Sequence, residues 1–225
     1  MLFRSNHARA TLSGGHVCLV LTPAQDIKVF AEGELMFSFS DGRWRLLDIP
    51  TKFAIWREAV KHSSDGGLAR RLFQAALNLS AARIGALLVV VRDPEKSVPQ
   101  LIAPIDRMSE EVAVDDPQDP ENLSPRLAKR ALHHAVRGMN LIQLEPTVLE
   151  SIASLDGAVV TDSDGNLLTF GAILRISAET LELGRSVQGA RTLAALAASQ
   201  HGPVLKISED GYVTMFLKGR RVWEF

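Results

Sequence analysis

The sequence predicts an α/β or α+β layer fold, with a small antiparallel β meander followed by a mixed central sheet flanked by helices. Three observations carry that expectation. Residues 16–47 alternate apolar and polar side chains between turn residues. Ala86-Leu87-Leu88-Val89-Val90-Val91 is an unbroken apolar run, the pattern of a strand buried on both faces. Segments with helical apolar spacing lie on either side of it.

The elements follow in order. Val17 to Leu21, Ile27 to Phe30, Leu35 to Phe39 and Trp44 to Leu47 read as the meander strands, separated by Glu32-Gly33-Glu34 and Asp41-Gly42 turns. Trp44 and the phenylalanines read as core of a half-buried sheet. Pro50-Thr51 opens a linking helix with Phe53, Trp56 and Val60. A boundary is expected near residue 62, at His62-Ser63-Ser64-Asp65-Gly66-Gly67, dividing the chain into 1–62 and 63–225. A helix starting near Gly67 carries Leu68, Leu72, Ala75, Ala76 and Leu79 on one face and stops by Gly85, before the buried strand. Residues 92–123, rich in proline and acids, read as a long exposed insertion. Ser124-Pro125 starts another helix, with Leu127, Ala131, Leu132, Ala135, Val136 and Met139 as its apolar face. A helix from about Pro146 to Ser154 leads to a strand at 158–162, a turn at Ser163-Asp164-Gly165-Asn166 and a strand at 167–175. A helix near 189–200 and strands at 203–208, 212–217 and 221–225 complete the chain. No internal repeat is visible.

Composition narrows the function. With 225 residues, 46% of them apolar, the chain can bury a full core. Net charge is −1 and the basic residues are scattered, so no concentrated positive field marks a DNA-binding surface. The single cysteine, Cys18, lies in an apolar run and reads as a buried structural thiol, and a disulfide within the chain is excluded. Apolar runs fall short of the ~20 residues of a membrane span and the N-terminus does not read as a signal peptide, so a cytoplasmic protein is expected.

Several motifs fail on inspection. Asp162-Ser163-Asp164-Gly165-Asn166 resembles the start of a calcium loop, but its glycine is at the wrong offset and Ile173 occupies the closing glutamate position. A hairpin turn explains it. His133 and His134 are adjacent on a helix and point about 100° apart, unlike a zinc pair, and read as surface or boundary residues. There is no Walker-type loop, no Gly-x-Ser-x-Gly elbow and no Gly-x-Gly-x-x-Gly. Alone, Asp156-Gly157 is an ordinary turn before a strand. Gly189-Ala190-Arg191-Thr192 differs in kind. A glycine at a helix start offers backbone N–H groups, and an arginine fork beside it suits phosphate, although an ordinary capped helix has the same local look.

Order adds specificity. Leu79-Ser80-Ala81-Ala82-Arg83-Ile84-Gly85-Ala86-Leu87-Leu88-Val89-Val90 comes first, then Asp156-Gly157-Ala158-Val159-Val160 with Gly171-Ala172-Ile173-Leu174, then Gly189 to Ser199 with Ile207-Ser208-Glu209-Asp210-Gly211. This ordered set, spanning about residues 67 to 220, resembles the diadenylate cyclase family, which includes the N-terminal domain of DNA-integrity-scanning proteins. Its members join two ATP molecules into cyclic di-AMP. The second block matches the family's Asp-Gly-Ala motif and the third its Gly-Thr-Arg-His-Arg-Ala-Ala helix and Ser-Glu-Glu turn. Departures are concentrated in the third block. Arg191-Thr192-Leu193 stands for Arg-His-Arg, Ala190 for the threonine and Leu155 for the histidine before the aspartate; the 92–123 insertion has no counterpart.

The resemblance implies a diadenylate-cyclase-like fold and a nucleotide site formed by Asp156, Gly157, Ala158, Gly189, Ala190, Arg191, Thr192, Ser208 and Glu209. Asp156 would be the catalytic residue and the metal ligand. It implies ATP or cyclic di-AMP as ligand, Mg²⁺ or Mn²⁺ accompanying the nucleotide, and a homo-oligomer in the active form. With the family histidine and second arginine gone, the expectation is a nucleotide sensor with little or no turnover. One alternative is an active cyclase whose missing charges come from Arg185, Lys206 or a partner subunit. Another is an interaction module without ligand, docking through its meander.

Overall fold

The computed structural model describes residues 6–13, 15–23, 25–40, 42–60, 66–108, 133, 136–177 and 189–225. The helix expected from Ser124 lies outside these residues except for His133 and the stretch from Val136, as do His134 and Arg185. The chain divides into two compact units, Met1–Glu58 with Phe225, and Ala59–Glu224.

In the first unit, α1 (Asn6–Ala10) precedes an antiparallel sheet of β1 (Val17–Leu21), β2 (Ile27–Ala31), β3 (Glu34–Ser40) and β4 (Arg43–Leu46), in that order. The β2–β3 hairpin turns on two residues, Glu32 at φ 54° and Gly33 at φ 80°. Positive φ at both central positions is the backbone that matches the twist of the flanking strands. Thr11 secures the turn, its Oγ1 accepting from the Gly33 N–H at 3.1 Å. One sheet face is covered at Phe30, on which His7 of α1 stacks at 5.5 Å. The other is not. Cross-strand partners place Leu19, Val29, Phe37 and Leu46 in one row and Leu21, Ile27, Phe39 and Trp44 in the next. Trp44 is 57% exposed there, so its expected core role is corrected. Alternation identifies which side chains share a face, not whether anything covers it. Cys18, expected buried, is only partly so. After the sheet comes α2 (Ile49–Val60), whose Phe53 and Trp56 are buried. Lys52 of α2 donates to the Leu47 carbonyl.

The second unit is built on a sheet in the order β10-β9-β8-β5-β6-β7. Its strands are β5 (Ala86–Val91), β6 (Ala158–Asp162), β7 (Leu167–Ala172), β8 (Val204–Ile207), β9 (Val213–Leu217) and β10 (Arg220–Glu224). Only β5 and β6 run parallel, so the sheet is mixed, as the sequence predicts. Every residue of β5 is buried, because helices cover both faces. On one face Leu87, Val89, Val91, Ala158, Val160, Val204 and Phe216 form a core with Leu101 of α4 (Pro94–Leu101) and Ala195 and Ala198 of α6 (Ala190–Ala198). On the other, α3 (Gly67–Ala81) and α5 (Pro146–Ala153) pack over the buried Leu88, Leu205 and Met215. α3 contributes Leu68, Leu72, Phe73, Ala76 and Leu79, one helical face.

Two expectations are corrected. The stretch read as an exposed insertion from residue 92 begins with a helix. Asp93 caps α4, its Oδ1 accepting from the Lys96 N–H at 3.3 Å, and Pro94 supplies the preset first turn. Leu101 and Ile102 then enter the core, Ile102 bridging to Leu174. Prolines and acids there are helix-start chemistry rather than a sign of solvation. Residues 109–123 lie outside the described ones. His133, read as a surface or boundary residue, is buried, with its Nε2 3.0 Å from the Phe170 carbonyl and its ring edge-on to Phe170. A hydrogen bond to a strand carbonyl satisfies the ring inside the core.

His201 is half-buried, with Nδ1 3.2 Å from Ser97 Oγ, and burial holds its imidazole below the ordinary histidine range. The folded state therefore disfavours the proton relative to the unfolded chain. His201 should cost no stability above about pH 6.5 and an increasing amount as pH falls through that value toward the depressed one. Thermal melts from pH 8 to 5 should show His201→Gln losing less Tm on acidification than wild type; parallel curves would contradict this.

Candidate functional site

Strand register positions the site. Leu87 of β5 lies opposite Ala158 of β6 on one side and Lys206 of β8 on the other; Ala158 lies opposite Ala172 of β7, and Lys206 opposite Thr214 of β9. These five side chains share one row of one face, with neighbouring strands ~4.8 Å apart. Because β8 and β7 run opposite to β5 and β6, four segments emerge at one end of the sheet. They are Arg83-Ile84-Gly85 before β5, Asp156-Gly157 before β6, Ile173 after β7, and Ser208-Glu209 after β8. Segments of the three sequence blocks thus leave the sheet at the same end.

α6 closes that end. Gly189 precedes it at φ 99° and ψ 131°, a conformation that favours glycine, and no side chain caps the helix. Gly189 and Ala190 are exposed, and Arg191 and Thr192 are partly buried. Arg191 Nη1 pairs with Glu209 Oε1 at 3.3 Å. The guanidinium lies over Gly85, where a Cβ would come within 2.3 Å of Nη1, so a side chain there would have to displace the guanidinium. Thr192 Oγ1 accepts from Lys206 Nζ at 3.1 Å. Lys206 is half-buried, and burial holds its ammonium below the ordinary lysine range. Glu224 opposes that shift, Arg191 and Arg221 add to it, and Asp210 opposes it.

The remaining residues divide between the site's surface and its frame. Asp156 is exposed, and its carboxylate makes no hydrogen bond or ion pair among the described residues. Gly157 has φ 109°, and a Cβ there would lie 2.4 Å from the Gly171 carbonyl carbon and 2.6 Å from Ala172 N. It therefore lets the start of β6 meet the end of β7. Ala158 is in the core. Ser208 closes the β8–β9 turn, its Oγ accepting from Tyr212 N–H at 3.1 Å, and the Gly211 carbonyl in that turn accepts from Ser80 at the end of α3. By contrast, the Asp162 carboxylate turns inward on its own hairpin, accepting from the N–H groups of Asp164 at 2.9 Å and Asn166 at 2.8 Å. Sequence reading missed the Arg191–Glu209 and Lys206–Thr192 pairings. The available signal was one lysine in the otherwise apolar strand Val204-Leu205-Lys206-Ile207.

Comparison with known proteins decides the family. The model of the DisA bacterial checkpoint controller nucleotide-binding family, abbreviated DAC, matches residues 73–221. The chain belongs to this family. It is the family that the three ordered blocks resemble. Among solved structures, a hypothetical membrane spanning protein from Bacillus cereus is 23% identical at a TM-score of 0.44, over 67% of this chain and 59% of that one. A double mutant of DacA from Staphylococcus aureus is 19% identical at a TM-score of 0.37, over 68% of this chain and 85% of that one. The chain thus spans 59% of the length of the Bacillus cereus protein. No curated protein matches it. No described helix is long and apolar enough to cross a membrane.

Gly157→Ala should destabilise the DAC domain by about 2 kcal/mol or more, because positive φ and a backbone clash coincide. For a chain of this size that corresponds to roughly 4–8 °C in Tm. A melt within one degree of wild type would contradict the close approach of β6 and β7.

Proposed function

We propose that this DAC domain binds a phosphorylated adenosine ligand, ATP or cyclic di-AMP, and turns it over weakly or not at all. The observation that carries the reading is the meeting of Arg191, Thr192 and Lys206 at the sheet edge that Asp156 also borders, with an apolar residue, Leu193, at the family's second arginine position. Asp156, Gly157, Ala158, Gly189, Ala190, Arg191, Thr192, Ser208 and Glu209 would line the nucleotide site, in a domain spanning 63–225 that acts in the cytoplasm. Residues 1–62 would form a separate element.

Magnitudes separate binding from turnover. An arginine acting on a transferring phosphoryl group is worth about 10³–10⁵ in rate, and one preorganised donor about 10²–10³. Leu193 supplies neither, and Thr192 supplies a hydroxyl where the family has an imidazole. Ground-state binding needs less, because the remaining cations Arg191 and Lys206 and backbone N–H groups still attract phosphate.

The metal follows the same division. Among the described residues no group of three or more histidine, cysteine, aspartate or glutamate side chains could hold an ion, so the described part of the chain offers no ready-made site for a free divalent cation. It does fit one delivered by the nucleotide, since Mg²⁺ is commonly held by one or two carboxylates together with phosphate oxygens, and Asp156 is an uncommitted carboxylate. Mg²⁺ or Mn²⁺ bound in that way would neutralise phosphate charge. The active family reaction joins two ATP molecules, so turnover would require a homo-oligomer presenting two such sites to each other.

A second reading, an interaction module, draws on the uncovered apolar face of the β1–β4 sheet. Calorimetry separates the two. ATP or cyclic di-AMP should give saturable binding, whereas no heat with any adenine or guanine nucleotide would favour the module. In parallel, protein incubated with ATP and Mg²⁺ or Mn²⁺ should yield no more than a trace of cyclic di-AMP by mass spectrometry. Asp156→Asn should abolish that trace while leaving Tm within about 1 °C, as expected for an exposed side chain whose carboxylate has no hydrogen bond or ion pair among the described residues. Abundant product that disappears in Asp156→Asn would overturn the sensor reading in favour of an active cyclase.

A further inference from the structure

We propose that Lys206 is the phosphate-binding cation of this site, supplying from a strand the positive charge that the first turn of α6 lacks at Thr192 and Leu193. The inference rests on the nucleotide reading above and gives its specificity for phosphate a residue.

Val204, Leu205 and Ile207, the other residues of β8, are buried and apolar, and Lys206 projects onto the face lined by Leu87. A lysine in that row gives up much of its hydration, which favours stability only if something replaces it. What replaces it within the chain is modest. The ammonium has three donors, and its hydrogen-bond partner is the neutral hydroxyl of Thr192.

The neighbouring charges leave it unneutralised. Glu209 is paired with Arg191 at 3.3 Å. Glu224 accepts from Thr214 Oγ1 at 2.8 Å and pairs with Arg221 at 3.3 Å. No carboxylate lies within ion-pair distance of Lys206 among the described residues. Arg191 thus has a carboxylate within ion-pair distance and Lys206 has none among the described residues, while Glu224 and Asp210 act on the lysine from farther off. Moreover, Lys206 lies beside the positive end of α6, an arrangement that works against stability in the absence of an anion. A phosphate oxygen accepting from Nζ would supply the missing countercharge and use the donors that Thr192 leaves open. Arg191, by comparison, must exchange Glu209 for the ligand, so it discriminates less strongly for phosphate than Lys206.

The test uses the full chain, three probes and two neutral variants, Lys206→Met and Lys206→Gln, with Lys206→Arg as the conservative control. Calorimetry with ATP, inorganic tripolyphosphate and adenosine should show both neutral variants losing about tenfold or more in affinity for the two phosphate probes. Adenosine affinity should be unchanged, Lys206→Arg should retain most phosphate affinity, and the unliganded Tm of the neutral variants should match or exceed that of wild type. Equal tripolyphosphate affinity in wild type and a folded neutral variant would overturn the assignment. So would an equal loss for adenosine and ATP, which would mark a purely structural role. Wild type that binds tripolyphosphate through Lys206 but neither ATP nor adenosine would sink the nucleotide reading while the lysine assignment stands. Binding of none of the probes would sink both.

Discussion

The site depends on the two-sided register of β5. Leu87 faces Ala158 across a parallel ladder and Lys206 across an antiparallel one, and these two pairings decide which loops share an edge. A slip of one residue on either side would turn Lys206 or Ala158 to the opposite face. Burial of all six β5 side chains opposes such a slip, since every shifted contact would have to be repacked within a close-packed core. The precision of the site is thus inherited from an apolar strand that carries no functional group.

Around that frame the charges are unevenly committed. Arg191 has Glu209, Arg221 has Glu224, Asp162 is used within its own hairpin, and Asp156 and Lys206 have no charged partner among the described residues. The two uncommitted groups are of opposite sign and stand on the two segments that flank β5, one exposed and one half-buried. That contrast suits a ligand with a metal-bearing and a metal-free side of its phosphates. Stabilising a transition state demands more preorganised charge than holding a ground state, and the first turn of α6 presents one arginine followed by a hydroxyl and an apolar chain.

Much of the fold was legible because local rules act over short distances. The meander strands, the turn at Glu32-Gly33, the α3 face and the unbroken β5 run are each written in a dozen residues or fewer. Family membership was legible from contiguous blocks in order. What stayed hidden was tertiary. Trp44 lies on an uncovered face, His133 is satisfied by the Phe170 carbonyl, and Arg191 rests on Gly85, which precedes it by more than a hundred residues. The stretch from Asp93 to Leu101 was misread for a different reason: a capped first turn containing proline has the same composition as a solvated loop, and only the apolar pair Leu101-Ile102 at its end distinguishes them.

The proposed function requires that the three blocks act as one surface for a phosphorylated adenosine. Amide chemical-shift mapping of the isotope-labelled chain during an ATP titration tests it most directly, because it reads each block independently. Saturable shifts with a common midpoint are expected at Gly157, Gly189, Arg191 and Ser208, with unmoved amides in the β1–β4 meander. Shifts confined to one block, or centred on the meander, would contradict it.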